Sequence, residues 1–374
     1  MASNPLQSIH EQAEANFVAY GENLRIVETY GEPEAEYAAV RKGAAMMDSP
    51  HRAVVALTGK DRLSFLQNKL TADVLKLAPG QGCYAYFLSV KGRIQQDMNV
   101  LHGEDATLLE MDLRTAGAFA KAMEDYRFGE DVRFLDASEQ LGRLTLIGPR
   151  AGELLAKVDV EVESLAEPFR HGKRMLAKTP VTVFRNDLCG EKQFELIGPR
   201  DQLVNLWQVL HEAGTNHGDP APPTAVELRA IGWAAFNIAR IEAGSPLFGI
   251  DITDNTLPME TGPWYARAVS VTKGCYLGQE VVARMHAHNT VAKMLTGLRI
   301  AGEKLPMAGT DIFDGAAQVG MVTSSCVSPM LGNEPVALGY VKRAYATAGR
   351  VVEVLAEGAR AKAVVTELPL WRGK

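Results

Sequence analysis

The chain has 374 residues, 47% hydrophobic and 22% charged, with 39 basic against 45 acidic side chains and a formal net charge of −6. That length asks for two or three domains, the composition is that of a globular protein, and the acidic balance argues against non-specific nucleic-acid binding, which runs on clustered Lys and Arg. Four cysteines, at 83, 189, 275 and 326, form no C-x-x-C pair, so no disulfide framework or zinc ribbon is expected and reduced thiols in a cytoplasm fit best.

The first 21 residues carry Glu11 and Glu14 and no apolar core segment, which argues against a secretory signal. No run of about 18 apolar residues offers a membrane span. Ile9, Ala13, Phe17 and Tyr20 at helical spacing predict a helix over 9–20, and a second is predicted over 34–47. A strand at 54–57 stops at Thr58-Gly59, and Leu63, Leu66 and Leu70 predict a helix over 60–70. Strands at 84–88 and 94–101 flank the turn Lys91-Gly92-Arg93, followed by a strand at 107–111 and a helix over 115–126. Two segments then share one pattern of apolar strand, Gly-Pro-Arg and helical run: 144–158 and 194–213. This parallel is weak evidence for a duplicated strand–helix unit in an α+β region.

Residues 216–224, with Asp219-Pro220 and Pro222-Pro223, read as an irregular connector before a helix over 225–239. From Lys293 the pattern becomes short strands separated by Gly and Pro, at 295–300, 319–324, 337–341, 351–355 and 361–365, as in a small β-barrel. The main boundary is expected between about 285 and 293, giving an α+β region over 1–285 and a barrel over 286–374.

Just before that boundary stands Lys273-Gly274-Cys275-Tyr276-Leu277-Gly278-Gln279-Glu280, which reads as a tight exposed loop. Cys275 is either a small half-buried residue of a Gly-rich turn or a reactive thiol, with Lys273 favouring the thiolate if the side chains converge. His286 and His288 follow, but surface histidines are the commoner outcome and no metal site is expected. In Arg240-Ile241-Glu242-Ala243-Gly244 the arginine can pair with Glu242 or meet a ligand carboxylate. In Gly190-Glu191-Lys192-Gln193-Phe194-Glu195 alternation puts Phe194 and Leu196 on one strand face and Glu195 on the other. Taken alone, Glu195 reads as a solvated carboxylate. In Gly92-Arg93-Ile94-Gln95-Gln96-Asp97 a turn runs into a strand whose carboxylate is Asp97.

The octapeptide at 273–280 resembles the signature of YgfZ-type folate-binding proteins, relatives of the glycine-cleavage T-protein, an aminomethyltransferase. Stretches 41–48 and 59–66, Gly148-Pro149, Gly190-Glu191 with Phe194-Glu195, Arg240-Ile241-Glu242 with Gly244, and Val322-Thr323-Ser324 with Ser328-Pro329 resemble family positions in the expected order, so the likeness spans about 40–370. It implies an α+β folate-binding module around a central channel, followed by a small C-terminal β-barrel. Tetrahydrofolate is the implied cofactor, with Glu195 on the pterin ring and Arg240 at the folate site; Lys273 and Gln279 complete the cofactor-binding candidates, and Cys275 and Asp97 are the catalytic ones. A carboxylate suits an aminopyrimidine edge and a guanidinium suits negative charge.

The chain departs from T-proteins at two places. Gln96-Asp97 stands where they have Asp-Asp, and Asp187-Leu188-Cys189-Gly190-Glu191 where they read Gly-Tyr-Thr-Gly-Glu. The resemblance therefore implies a folate-binding accessory to iron–sulfur cluster assembly or repair, with iron–sulfur proteins as clients and, through them, tRNA modification. Its alternatives are a tetrahydrofolate-dependent aminomethyl- or methyltransferase and a non-catalytic scaffold. One cysteine cannot hold a cluster alone, since such sites take four ligands.

Overall fold

The computed structural model describes residues 4–215 and 226–372; the expected connector at 216–224 and the first residue of the helix expected after it lie outside the described residues. Two compact units divide the chain, the first made of Met1–Leu66, Val74–Tyr84 and Met98–Phe236, the second of Gln67–Asp73, Ala85–Asp97 and Asn237–Lys374. Contact, not chain order, defines them.

The first unit holds a six-stranded sheet in the order His171–Leu176, Thr179–Arg185, Gln193–Pro199, Leu141–Ile147, Ala44–Asp48, Leu228–Ala230. Its neighbours run antiparallel except the last pair, Ala44–Asp48 with Leu228–Ala230, which is parallel. One face is apolar: Leu144, Leu146, Phe194, Leu196 and Met46 pack against Leu154 and Leu155 of the helix Ala151–Lys157 and against Leu206, Trp207 and Leu210 of the helix Leu203–Thr215. Full burial of each such side chain contributes about 1.5–3 kcal/mol. A second sheet has the order Gln81–Leu88, Ile94–His102, Thr107–Asp112, Arg52–Thr58, Arg133–Asp136.

The second unit ends in a closed six-stranded antiparallel barrel, in the order Lys293–Ile300, Glu334–Lys342, Ala317–Ser328, Asp311–Asp314, Val351–Ala356, Ala359–Thr366. Alternation fills it: Val352, Val354, Ala363 and Val365 point inward with Leu298, Ile300, Ile312 and Val322, while Val351 and Leu355 are exposed. Among the described residues no helix is long and apolar enough to cross a membrane.

Several expected elements change. The helix over 9–20 is a helix Gln7–Gln12 followed by a strand Asn16–Ala19, because Glu14 takes a positive φ of 54° that ends the helical run. The helix over 34–47 stops at Lys42, and Ala44–Asp48 becomes a sheet strand buried at every position. Such a strand shows no alternation and cannot be told from a buried helix by period alone. The helix expected over 60–70 is the shorter Arg62–Gln67. Where a helix was expected to reach 239, a short strand Leu228–Ala230 precedes a helix Trp233–Glu242. The barrel gains Asp311–Asp314, a strand too short to show a period.

Candidate functional site

Glu195 is not solvated: it has no exposed surface. Strand pairing sets it opposite Thr145, whose hydroxyl donates to Glu195 Oε2 at 2.6 Å, while Gln193 Nε2 donates to Oε1 at 2.6 Å. Arg143, two residues before Thr145, pairs through Nε with Glu195 Oε2 at 2.8 Å and through Nη1 with Glu110 Oε1. Glu110 also takes a two-pronged grip from Arg52, at 2.5 and 2.8 Å, and Asn99 Nδ2 at 2.7 Å. Two arginines thus neutralise two carboxylates inside one unit. Burial pushes Glu110 up, but Arg52, Arg143 and the hydrogen bonds from Arg52 and Asn99 together outweigh it and hold its carboxyl down at about 2. Burial likewise raises Glu195, and the Glu110 charge adds to it against Arg143, so Glu195 keeps the greater proton affinity of the pair.

The Arg240 guanidinium, 1% exposed, is held in the second unit by several partners. Its Nη1 meets Asp251 Oδ2 at 2.5 Å, Nε meets Asn237 Oδ1 at 2.9 Å, and Nη2 meets Ser324 Oγ at 2.7 Å. Asp251 Oδ1 accepts from Thr323 and Ser324 at 2.6 and 2.7 Å. The expected pairing with Glu242 is corrected: a helix sends residues i and i+2 to different sides, and Glu242 instead accepts from Ser328.

Within the same unit Asp97 is 6% exposed. Its neighbour Gln96 donates Nε2 to the Asp97 carbonyl at 2.7 Å and leaves Oε1 buried without a hydrogen bond.

The octapeptide is a loop only as far as Gly278, and Gln279 and Glu280 open the helix Gln279–His288, which carries His286 and His288. Lys273 Nζ donates to the carbonyls of Gln67, Leu70 and Ala72 at 2.7, 2.6 and 2.8 Å, so all three ammonium hydrogens are spent there rather than on the thiol. Leu277 N donates to Asn68 O, and Gln279 Oε1 accepts from Tyr276 N at 3.1 Å. Gly278 has φ 78°, and a Cβ there would lie 2.4 Å from Ser89 O. Five of the eight residues hold the loop. Cys275 is exposed, and nothing lies within 4 Å of where a Gly274 Cβ would be. Lys273 and Gln279 therefore stand as loop-holding residues.

The sequence reading missed Arg143, Thr145, Gln193, Glu110 and Asp251. A signal existed for three of them: Arg143 and Thr145 alternate with Leu144 and Leu146, and Glu110 interrupts an apolar strand. Of the other cysteines, Cys83 and Cys326 lie on strands, whereas Cys189 is a buried loop residue.

Residues 6–273 match the GCVT N-terminal domain model, and residues 293–371 match the glycine cleavage T-protein C-terminal barrel domain. An aminomethyltransferase of Nostoc sp. is 30% identical, the match covering 100% of this chain and 96% of that protein. One from Symbiobacterium thermophilum is 30% identical over 98% of this chain and 96% of its own length. The crystal structure of the glycine cleavage system aminomethyltransferase T from Bartonella henselae superposes with a TM-score of 0.86 at 26% identity, covering 98% of this chain and 97% of that one. With both domain models matched in order along nearly the whole length, the chain belongs to the glycine-cleavage T-protein family.

Proposed function

We propose that this chain is a tetrahydrofolate-dependent aminomethyl- or methyltransferase of the T-protein type. The observation that carries the reading is the full-length match in fold and sequence to aminomethyltransferases, through both domains. The buried polar groups fit a reduced folate. Glu195 Oε1 accepts one hydrogen bond from within the chain and has lone-pair capacity for a second, and Asp97 is an enclosed carboxylate. When bound, tetrahydrofolate supplies the nitrogen that accepts the one-carbon unit. In this reading Glu195 orients the pterin, Asp97 holds or moves the proton at the folate nitrogen, and Arg240, its charge answered by Asp251, positions the chain at the folate site.

Turnover with tetrahydrofolate and an aminomethylated lipoyl carrier is the test. Saturable folate binding with methylene-folate formation is expected, and Asp97→Asn should lower turnover by about 10²–10⁴ while folate still binds. Binding without product would overturn the transferase reading.

A second reading, an accessory to iron–sulfur cluster assembly or repair, is favoured by one observation: a tightly held loop presents the exposed Cys275 with open space at Gly274. An accessible thiol suits exchange chemistry or transient contact with a cluster protein. In cells lacking the protein, Cys275→Ala should then fail to restore cluster-enzyme activity; full restoration refutes the role.

A further inference from the structure

Gln193 lies two residues before Glu195 on the same strand face and has no exposed surface. Its Nε2 donates to Glu195 Oε1, and its own Oε1 is buried without a hydrogen bond. The carboxylate accepts, so it is the amide nitrogen and not the carbonyl oxygen of Gln193 that bonds to Glu195. Leaving such an oxygen unsatisfied is costly. The backbone pins it in place, since Gln193 N donates to Asp187 Oδ1 at 3.1 Å and Gln193 O accepts from Asn186 N at 2.9 Å.

Glu195 cannot grip a ligand with both oxygens while Oε2 is taken by Thr145 and Arg143. What remains is one acceptor position on Glu195 Oε1 and the unsatisfied Gln193 Oε1 beside it. Two neighbouring acceptors complement two neighbouring N–H donors, the pattern on the edge of a 2-aminopyrimidin-4-one ring. We infer that Gln193 and Glu195 read that donor–donor edge jointly, Glu195 Oε1 accepting one N–H and Gln193 Oε1 the other, which makes Gln193 a specificity-determining residue. The inference rests on the folate reading, since reduced folates carry this edge.

Calorimetric titration of the full chain with three probes tests it: tetrahydrofolate, an analogue lacking the exocyclic amine, and one methylated at the ring N–H. Wild type should bind each analogue roughly 2- to 10-fold more weakly than tetrahydrofolate. In Gln193→Met, which conserves volume, the penalty of one analogue should vanish while the other persists. Both penalties persisting in that variant overturn the inference and leave the folate reading intact, whereas no binding of any probe by wild type overturns both. If Gln193→Met does not fold, Gln193→Glu, which keeps an acceptor, should retain both penalties; loss of either overturns the role of the Gln193 oxygen.

Discussion

His51 shows how far surroundings can move one side chain. It is 6% exposed and packed edge-on against Trp233 at 5.4 Å and tilted against Tyr20 at 5.1 Å, with Nδ1 unbonded. Burial, then the charges of Arg143 and Arg52, lower it from 6.5 to about 3. Between those values the unfolded chain binds a proton that the folded chain refuses, so stability falls as pH drops from 6.5 toward 3. We expect His51→Phe to flatten that slope by as much as about 1.4 kcal/mol per pH unit. Urea unfolding at a series of pH values, wild type against variant, measures it; parallel curves would contradict the assignment. Glu195 and Glu110 titrate in both proteins and drop out of the difference. Their own signs are opposed: the contribution of Glu110, whose pKa is depressed, is lost as pH falls from 4.5 through about 2, whereas that of Glu195, whose pKa is raised, is lost as pH rises through its folded value.

At the scale of an element, the segment 273–280 is built by its neighbours. Lys273 holds three carbonyls from the segment Gln67–Asp73, and Gly278 and Gly92, with φ of 78° and 71°, allow the turn at 89–92 to approach the start of the helix Gln279–His288. Lys273→Met should cost about 1–3 kcal/mol by stranding those carbonyls, and Gly278→Ala should be destabilising as well, through its backbone conformation and the approach to Ser89 O. Gly274→Ala is the control, expected to be neutral because open space surrounds it. Denaturant unfolding with hydrogen exchange read over 67–73 checks the set. Equal stability of Lys273→Met and Gly274→Ala would remove the stapling role.

At the scale of the whole molecule, Asp251 ties Arg240 to the barrel strand Ala317–Ser328 within the second unit, through Thr323 and Ser324. An apolar seam runs beside it, where Ile241 packs with Leu295, Val336, Leu338, Leu368 and Leu370. Asp251→Ala should therefore destabilise by about 3–5 kcal/mol, since it leaves Arg240 buried without its counter-charge. A loss below about 1 kcal/mol in equilibrium unfolding would show that the pair is not the tie proposed.

The sequence by itself determined whatever depends on local period. Alternation placed Phe194 and Leu196 on the apolar face, marked most barrel strands, and located the turn at 91–93, because side-chain direction in a strand follows residue parity. Motifs in chain order likewise carried the family. Only the tertiary structure decided what depends on distant partners. Ala44–Asp48 became a strand because sheet neighbours cover it on both sides, Glu195 was enclosed because Arg143 and Thr145 come from the adjacent strand, and Arg240 found Asp251 rather than Glu242. Burial and charge pairing are properties of the assembled interior, and no spacing along the chain encodes them.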